Sequence, residues 1–132
     1  MMDARLLLAV ALGSAVGGVA RFLVGQLFVA RFGPGFPYGT LFINVAGSFL
    51  IGVVAELAAT RAFGIGPTTR IFLATGLLGG FTTFSTFSLD MITLAEDGAA
   101  FLSLLYGVGS LVLGFAVAYG GQVLARLALS SG

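Results

Sequence analysis

Residues 75–88 read Thr75-Gly76-Leu77-Leu78-Gly79-Gly80-Phe81-Thr82-Thr83-Phe84-Ser85-Thr86-Phe87-Ser88. They lie inside an apolar run over residues 71–95, long enough for a spanning helix, which takes about 20 mainly apolar residues. Gly79-Gly80 is a weak point in such a helix. Five hydroxyl residues follow within seven positions, Thr82 to Ser88, and hydroxyls can take up backbone hydrogen bonds freed by a break. Two readings stand. In one, the helix is interrupted between Gly79 and Thr83. Its unwound backbone must then be covered by protein or line a cavity, and its freed carbonyls can hold a cation. In the other, the helix is continuous and packs closely through Gly76 and Gly80, with its hydroxyls bonded back to their own turns.

Outward from this segment, three more apolar stretches cover residues 6–30, 38–59 and 99–127. Breakers separate the four: Phe32-Gly33-Pro34-Gly35-Phe36-Pro37, Gly64-Ile65-Gly66-Pro67 and Glu96-Asp97-Gly98. The chain of 132 residues reads as a single four-span integral membrane domain over residues 1–132, all-α, with its third helix broken. Composition agrees: 58% of residues are hydrophobic and 8% charged, where a soluble domain carries about 25% charged. The 21 glycines point to close helix packing or broken helices. Arg5, the apolar run after it and Gly18-Val19-Ala20 resemble a signal peptide with its cleavage site. Against that, Gly13, Gly17 and Gly25 suit a packed helix face, and apolar character resumes after Arg21.

The residue inventory excludes whole classes of function. There is no Cys, so no disulfide, thiol catalysis or thiolate metal site. There is no His, so no imidazole ligand, no Ser-His triad and no imidazole pH switch. The net charge of +1 leaves no basic footprint for nucleic acid. An intramembrane enzyme would have to work with Ser, Thr, Asp, Glu and Tyr alone, and no acid sits beside a plausible nucleophile motif, so we expect no enzymatic activity. Four spans put Arg5, Arg61, Arg70 and Arg126 on one side, and Arg31 with the acidic Glu96-Asp97 loop on the other. The positive-inside rule then points to both termini in the cytoplasm.

Polar residues recur in register inside the apolar stretches. Thr40, Asn44 and Ser48 fall at i, i+4 and i+8 and form one stripe. Asn44 brings two N–H donors and one acceptor to membrane depth; the alternative use is a helix–helix hydrogen bond. Ser103, Tyr106/Gly107, Ser110 and Gly114 form a second stripe, for which small-residue packing is the competing account. Phe84 and Phe87 share a helix face. Ring edges are positive, so two edges aimed into a cavity would attract an anion without a full charge; lipid-facing or core packing is the plainer use of a Phe. Arg21 in the first stretch costs roughly 2.5–3.5 kcal/mol at the bilayer centre and needs a partner, an interfacial position or a function. Asp90 poses the same question, and an Arg21–Asp90 pair is one answer.

Three blocks together resemble a known family. Gly17-Gly18-Val19-Ala20-Arg21-Phe22, Gly39-Thr40-Leu41-Phe42-Ile43-Asn44-Val45-Ala46-Gly47-Ser48-Phe49 and Gly79-Gly80-Phe81-Thr82-Thr83-Phe84-Ser85-Thr86-Phe87 are similar, in order and over nearly the whole chain, to the small bacterial fluoride channels (Fluc, also called CrcB). The resemblance implies an antiparallel homodimer of dual topology in the bacterial inner (plasma) membrane. It implies two fluoride pores and a structural Na⁺ at the dimer centre. By motif match it implies that Asn44 donates to fluoride, that the edges of Phe84 and Phe87 face the ion, and that the Gly79 and Thr82 carbonyls hold Na⁺. Thr40, Tyr106 and Ser110 match pore-lining polar positions. Arg21 matches the arginine ending the first-helix motif, and Asp90 stands where many members carry Glu. Four arginines against one conflict with insertion in both orientations, which keeps a paired homologous subunit open as the partner.

The expected function is therefore passive, fluoride-selective export that protects the cytoplasm from fluoride. The residue chemistry fits, because amide, hydroxyl and ring-edge donors can replace the ion's water without a fixed charge that would trap it. A small four-span drug or cation exporter is the first alternative, but it needs a carboxylate in the first span, where this chain has Arg21. A non-transporting membrane assembly subunit is the second; it accounts for the glycine faces but not for polar stripes on three spans.

Overall fold

The computed structural model describes residues 3–131, whose regular secondary structure is all helical, with no strand among the described residues. Four helices are long and apolar enough to cross a membrane: α1 (Ala4–Phe32), α2 (Tyr38–Ala59), α3 (Pro67–Glu96) and α4 (Ala100–Ser130). At 1.5 Å per residue even the 22 residues of α2 reach about 33 Å, against a hydrocarbon core of about 30 Å.

The ends follow local chemistry. The Asp3 side chain accepts from the Arg5 N–H and caps α1. At the other end Gly33 takes φ +77° and returns its N–H to the Val29 carbonyl, 2.8 Å away. Thr60 closes α2 by donating its hydroxyl to the Glu56 carbonyl at 2.9 Å. Pro67 occupies the first turn of α3, where its missing N–H costs nothing, and this starts α3 four residues before the apolar run at residue 71. Gly98, with φ +83°, turns the chain from α3 into α4.

The third helix is interrupted, not continuous, and it also packs closely through Gly76 and Gly80. From Phe72 to Leu78 the turns widen to i→i+5 bonding. Gly79–Phe81 returns to an α turn. Thr82 and Thr83 are extended, and helix resumes at Phe84–Glu96. The break therefore lies at Thr82–Thr83, at the far end of the expected window, and Gly79-Gly80 stays helical. The glycines are needed elsewhere. A Cβ on Gly80 would stand 2.7 Å from the Ser14 carbonyl oxygen, and one on Gly76 3.0 Å from the Gly13 Cα. The Gly76/Gly80 face thus lies backbone to backbone on the buried Ala9, Gly13 and Gly17 of α1.

The second large seam joins α2 to α4. A Cβ at Gly52 would run into the Ala118 carbonyl, and one at Gly121 into the Phe49 carbonyl. Where these helices leave the membrane, Arg126 grips the buried Glu56 with both arms of its fork, Nε to Oε1 at 3.1 Å and Nη2 to Oε2 at 3.0 Å. Glu56 in an apolar stretch signals a need for a partner, yet nothing local singles out an arginine 70 residues away.

Candidate functional site

The break is held open by Asn44. In a continuous helix the Thr83 N–H would close on the Gly79 carbonyl. It donates instead to Asn44 Oδ1 at 2.8 Å, while Asn44 Nδ2 donates to the Thr83 carbonyl at 3.0 Å. One side chain on α2 thus replaces both backbone partners of an unwound residue. Next along α2, Gly47 leaves space for the Thr82 methyl, which a Cβ there would strike. Thr83 then acts as the cap of the resumed helix: its Oγ1 accepts from the Thr86 N–H at 3.2 Å. That N–H would otherwise have closed on the Thr82 carbonyl. The carbonyls of Gly79 and Thr82 are consequently both released from helical bonding.

Around the break lies a cleft of about 420 Å³, lined among others by Asn44, Ser48, Gly79, Thr82, Phe84, Phe87 and Ser110. Phe87 is buried and Phe84 is 74% exposed, with ring centroids 5.6 Å apart and planes tilted by 43°. Phe87 thus belongs to the wall and Phe84 to the rim. The Ser110 hydroxyl is buried and has no hydrogen-bond partner among the described residues. The N-terminus of the resumed helix opens at the same place, so its first-turn amides and the positive end of its dipole face the break.

The two polar stripes divide between two cavities. Asn44, Ser48 and Ser110 line the cleft at the break. Thr40 lines a second cavity of about 300 Å³ with Thr86, Asp90 and Asp97. Tyr106 links them: its ring centroid lies 5.2 Å from that of Phe87, and its hydroxyl donates to Asp90 Oδ2 at 3.3 Å. Ser103 donates to the Met91 carbonyl at 2.7 Å, a packing role.

Arg21 and Asp90 do not pair. Arg21 Nη1 reaches the Thr82 carbonyl at 3.4 Å, and Asp90 takes its hydrogen bond from Tyr106. The unwound carbonyl attracts the guanidinium because it has lost its own N–H. Asn44's grip on the backbone and Thr83's capping role escaped the reading of the sequence. The signal for Thr83 was present: a Thr ahead of a helix start is an ordinary cap.

Residues 8–122 match the family model described as CrcB-like protein, Camphor Resistance (CrcB). Among similar proteins, the "Fluoride-specific ion channel FluC" of Agrobacterium fabrum is 50% identical over 117 residues, covering 89% of this chain and 93% of that one. The protein of the same name from Rhizobium meliloti is 49% identical over 120 residues, 91% and 95% of the two chains. That from Chlorobium phaeobacteroides is 46% identical over 121 residues, 92% and 93%. These relatives are named as ion channels, a class that moves ions and performs no covalent chemistry. The family match spans the break, the cleft and all four helices, and the chain belongs to the CrcB-like family.

Proposed function

We propose that the protein is a fluoride channel whose ion path runs through the cleft at the break in α3. The observation that carries this reading is the buried Ser110 hydroxyl. A buried polar group left unpaired costs about 1–3 kcal/mol, and an anion in the cleft would remove that cost. Asn44, the Phe84 and Phe87 edges and the amides of the resumed helix add donors or positive edges around the same space. Thr40 and Tyr106 would extend the path toward the second cavity. None of these groups carries a full charge, so the ion is held without being trapped. Fluoride, small and strongly hydrated, gains most from such a dense set of donors. Export would follow the ion's own gradient out of the cytoplasm, across a bacterial inner (plasma) membrane.

We further infer an antiparallel dimer with two pores. The cleft is open on one side and exposes unwound backbone, and such backbone is tolerated at membrane depth only where protein or water covers it. A second copy would cover it. The Gly79 and Thr82 carbonyls, both released from helical bonding, fit a monovalent cation: they are neutral oxygens with no carboxylate among them, whereas Mg²⁺ keeps its waters and favours carboxylates. Two copies would offer four such oxygens to a structural Na⁺, which would supply positive charge beside the anion path. Arg21, already on the Thr82 carbonyl, adds to the same field. The second reading concerns the partner. Four arginines against one favour a fixed orientation, which suits a homologous subunit of opposite orientation rather than a second copy of this chain.

The test is efflux from liposomes holding the purified protein, read with fluoride and chloride electrodes. Fluoride efflux far faster than chloride efflux is expected, and equal rates would sink the assignment. Single-molecule photobleaching should count two subunits. Replacing Na⁺ with a large organic cation, after long equilibration, should lower flux and dimer stability together.

A further inference from the structure

We propose that the cavity between the α2–α3 loop and the start of α3 binds the phosphate headgroup of an anionic phospholipid. The cavity measures about 780 Å³ and is lined by Arg61, Pro67, Arg70, Ile71, Ala74 and Thr75 among others. Both arginines are exposed, and among the described residues neither guanidinium makes an ion pair. The guanidinium fork matches phosphate oxygens two at a time. A basic pocket between spanning helices is the expected form of a site for an acidic lipid head.

The position selects a lipid. The α2 helix ends at Ala59 and α3 begins at Pro67, so the arginines stand where the chain leaves the apolar layer. Below them the wall turns apolar, with Ile71 and Ala74. A free anion would use only the upper half of this cavity, whereas an acyl-bearing phosphate would use both. The loop is also held in an unusual shape. Arg61 and Phe63 adopt φ +52° and +57° without being glycines, and such strain gathers at ligand clamps. Phe63 is 86% exposed, which at this depth puts its ring at the boundary of headgroups and acyl chains. The inference rests on the membrane-spanning fold and not on which ion permeates.

The experiment is native mass spectrometry of the delipidated protein incubated with phosphatidylglycerol or phosphatidylcholine, with melting temperature measured in parallel with either lipid or inorganic phosphate. The wild type is expected to retain phosphatidylglycerol over phosphatidylcholine. The double variant Arg61→Gln/Arg70→Gln should lose about thirtyfold of that retention, the change for two basic side chains near an acidic lipid. Arg31→Gln, at the opposite membrane face, should lose none. If the double variant aggregates, Arg61→Lys/Arg70→Lys keeps the charge without the fork and should show an intermediate loss. Equal retention of both lipids, or unchanged retention in the variants, would overturn the site. Arginine-dependent stabilisation by inorganic phosphate as large as that by phosphatidylglycerol would overturn the lipid assignment.

Discussion

Replacing Asn44 with Ala is the most informative single change. It removes the acceptor 2.8 Å from the Thr83 N–H and the donor 3.0 Å from the Thr83 carbonyl. Each orphaned backbone group costs about 1–3 kcal/mol, so the pair costs about 2–6 kcal/mol. The cleft is open on one side, and a water can take over part of each bond, which places the cost near 2–3 kcal/mol. At about 1.4 kcal/mol per factor of ten, the open break is then disfavoured by about 30- to 150-fold against rival arrangements of Thr82–Thr83. The glycine seams on α1 and α4 are untouched, so the protein should still fold. Fluoride efflux should fall by about that factor, and the Thr83 amide should lose its hydrogen-exchange protection. Asn44→Asp separates the two bonds. It keeps the acceptor for Thr83 N–H but turns a second oxygen toward the Thr83 carbonyl, and a carboxylate there would also repel fluoride by about 4 kcal/mol at 4 Å and an effective dielectric of 20. It should therefore protect the Thr83 amide yet conduct worse than Asn44→Ala. Wild-type efflux with full Thr83 protection in Asn44→Ala would refute the clamp.

Ser110→Ala should move stability and transport in opposite directions: removing the unpaired hydroxyl should stabilise the protein by about 1 kcal/mol in detergent melts, while efflux falls. Phe84→Ile and Phe87→Ile keep bulk and remove the ring edge; both should cut efflux, but only the buried Phe87 should also lower the melting temperature, and equal tolerance at both would favour plain packing. Gly52→Ala drives a methyl into the Ala118 carbonyl and should cost about 1–3 kcal/mol as overpacking, read as a loss of correctly eluting protein. Charge reversal as Glu56→Arg/Arg126→Glu should restore melting behaviour that either single reversal destroys, and a double variant no better than the singles would show that the pair does not couple.

The four spans were legible because the bilayer imposes a length and a composition that few other structures share. The break was legible as a region but not as a residue. Gly79-Gly80 marks the weak point by propensity, yet packing on Ser14 claims those glycines for a helical turn, and the chain unwinds two residues later, where Asn44 can reach it. The spacing of Thr40, Asn44 and Ser48 correctly puts them on one face. It could not show that Thr40 lines a different cavity from the other two, with Tyr106 reaching from Phe87 to Asp90. Arg21 and Asp90 were each legible as charges in want of partners. Their actual partners, a carbonyl at the break and a tyrosine hydroxyl on α4, depend on tertiary approach that no local pattern encodes. The same holds for Glu56 and Arg126.

The wide turns of α3 between Phe72 and Leu78 carry a consequence for how this sequence can change. An i→i+5 turn accommodates one more residue than an α turn, so the segment behaves as a single-residue insertion absorbed into a helix. Deleting any one residue there would let the helix relax to regular geometry, a local gain. The faces on either side would keep their phase, because the wide turns already absorb the extra residue. Straightening the segment without a deletion would instead rotate everything on one side by about 100° relative to the other, the angle of one α-helical residue. Gly76 or Gly80 would leave the face of α1, and Thr83 would turn away from Asn44. Substitutions in this stretch are matters of side-chain fit, but its residue count and its turn width are linked, and lineages that keep the cleft must change the two together.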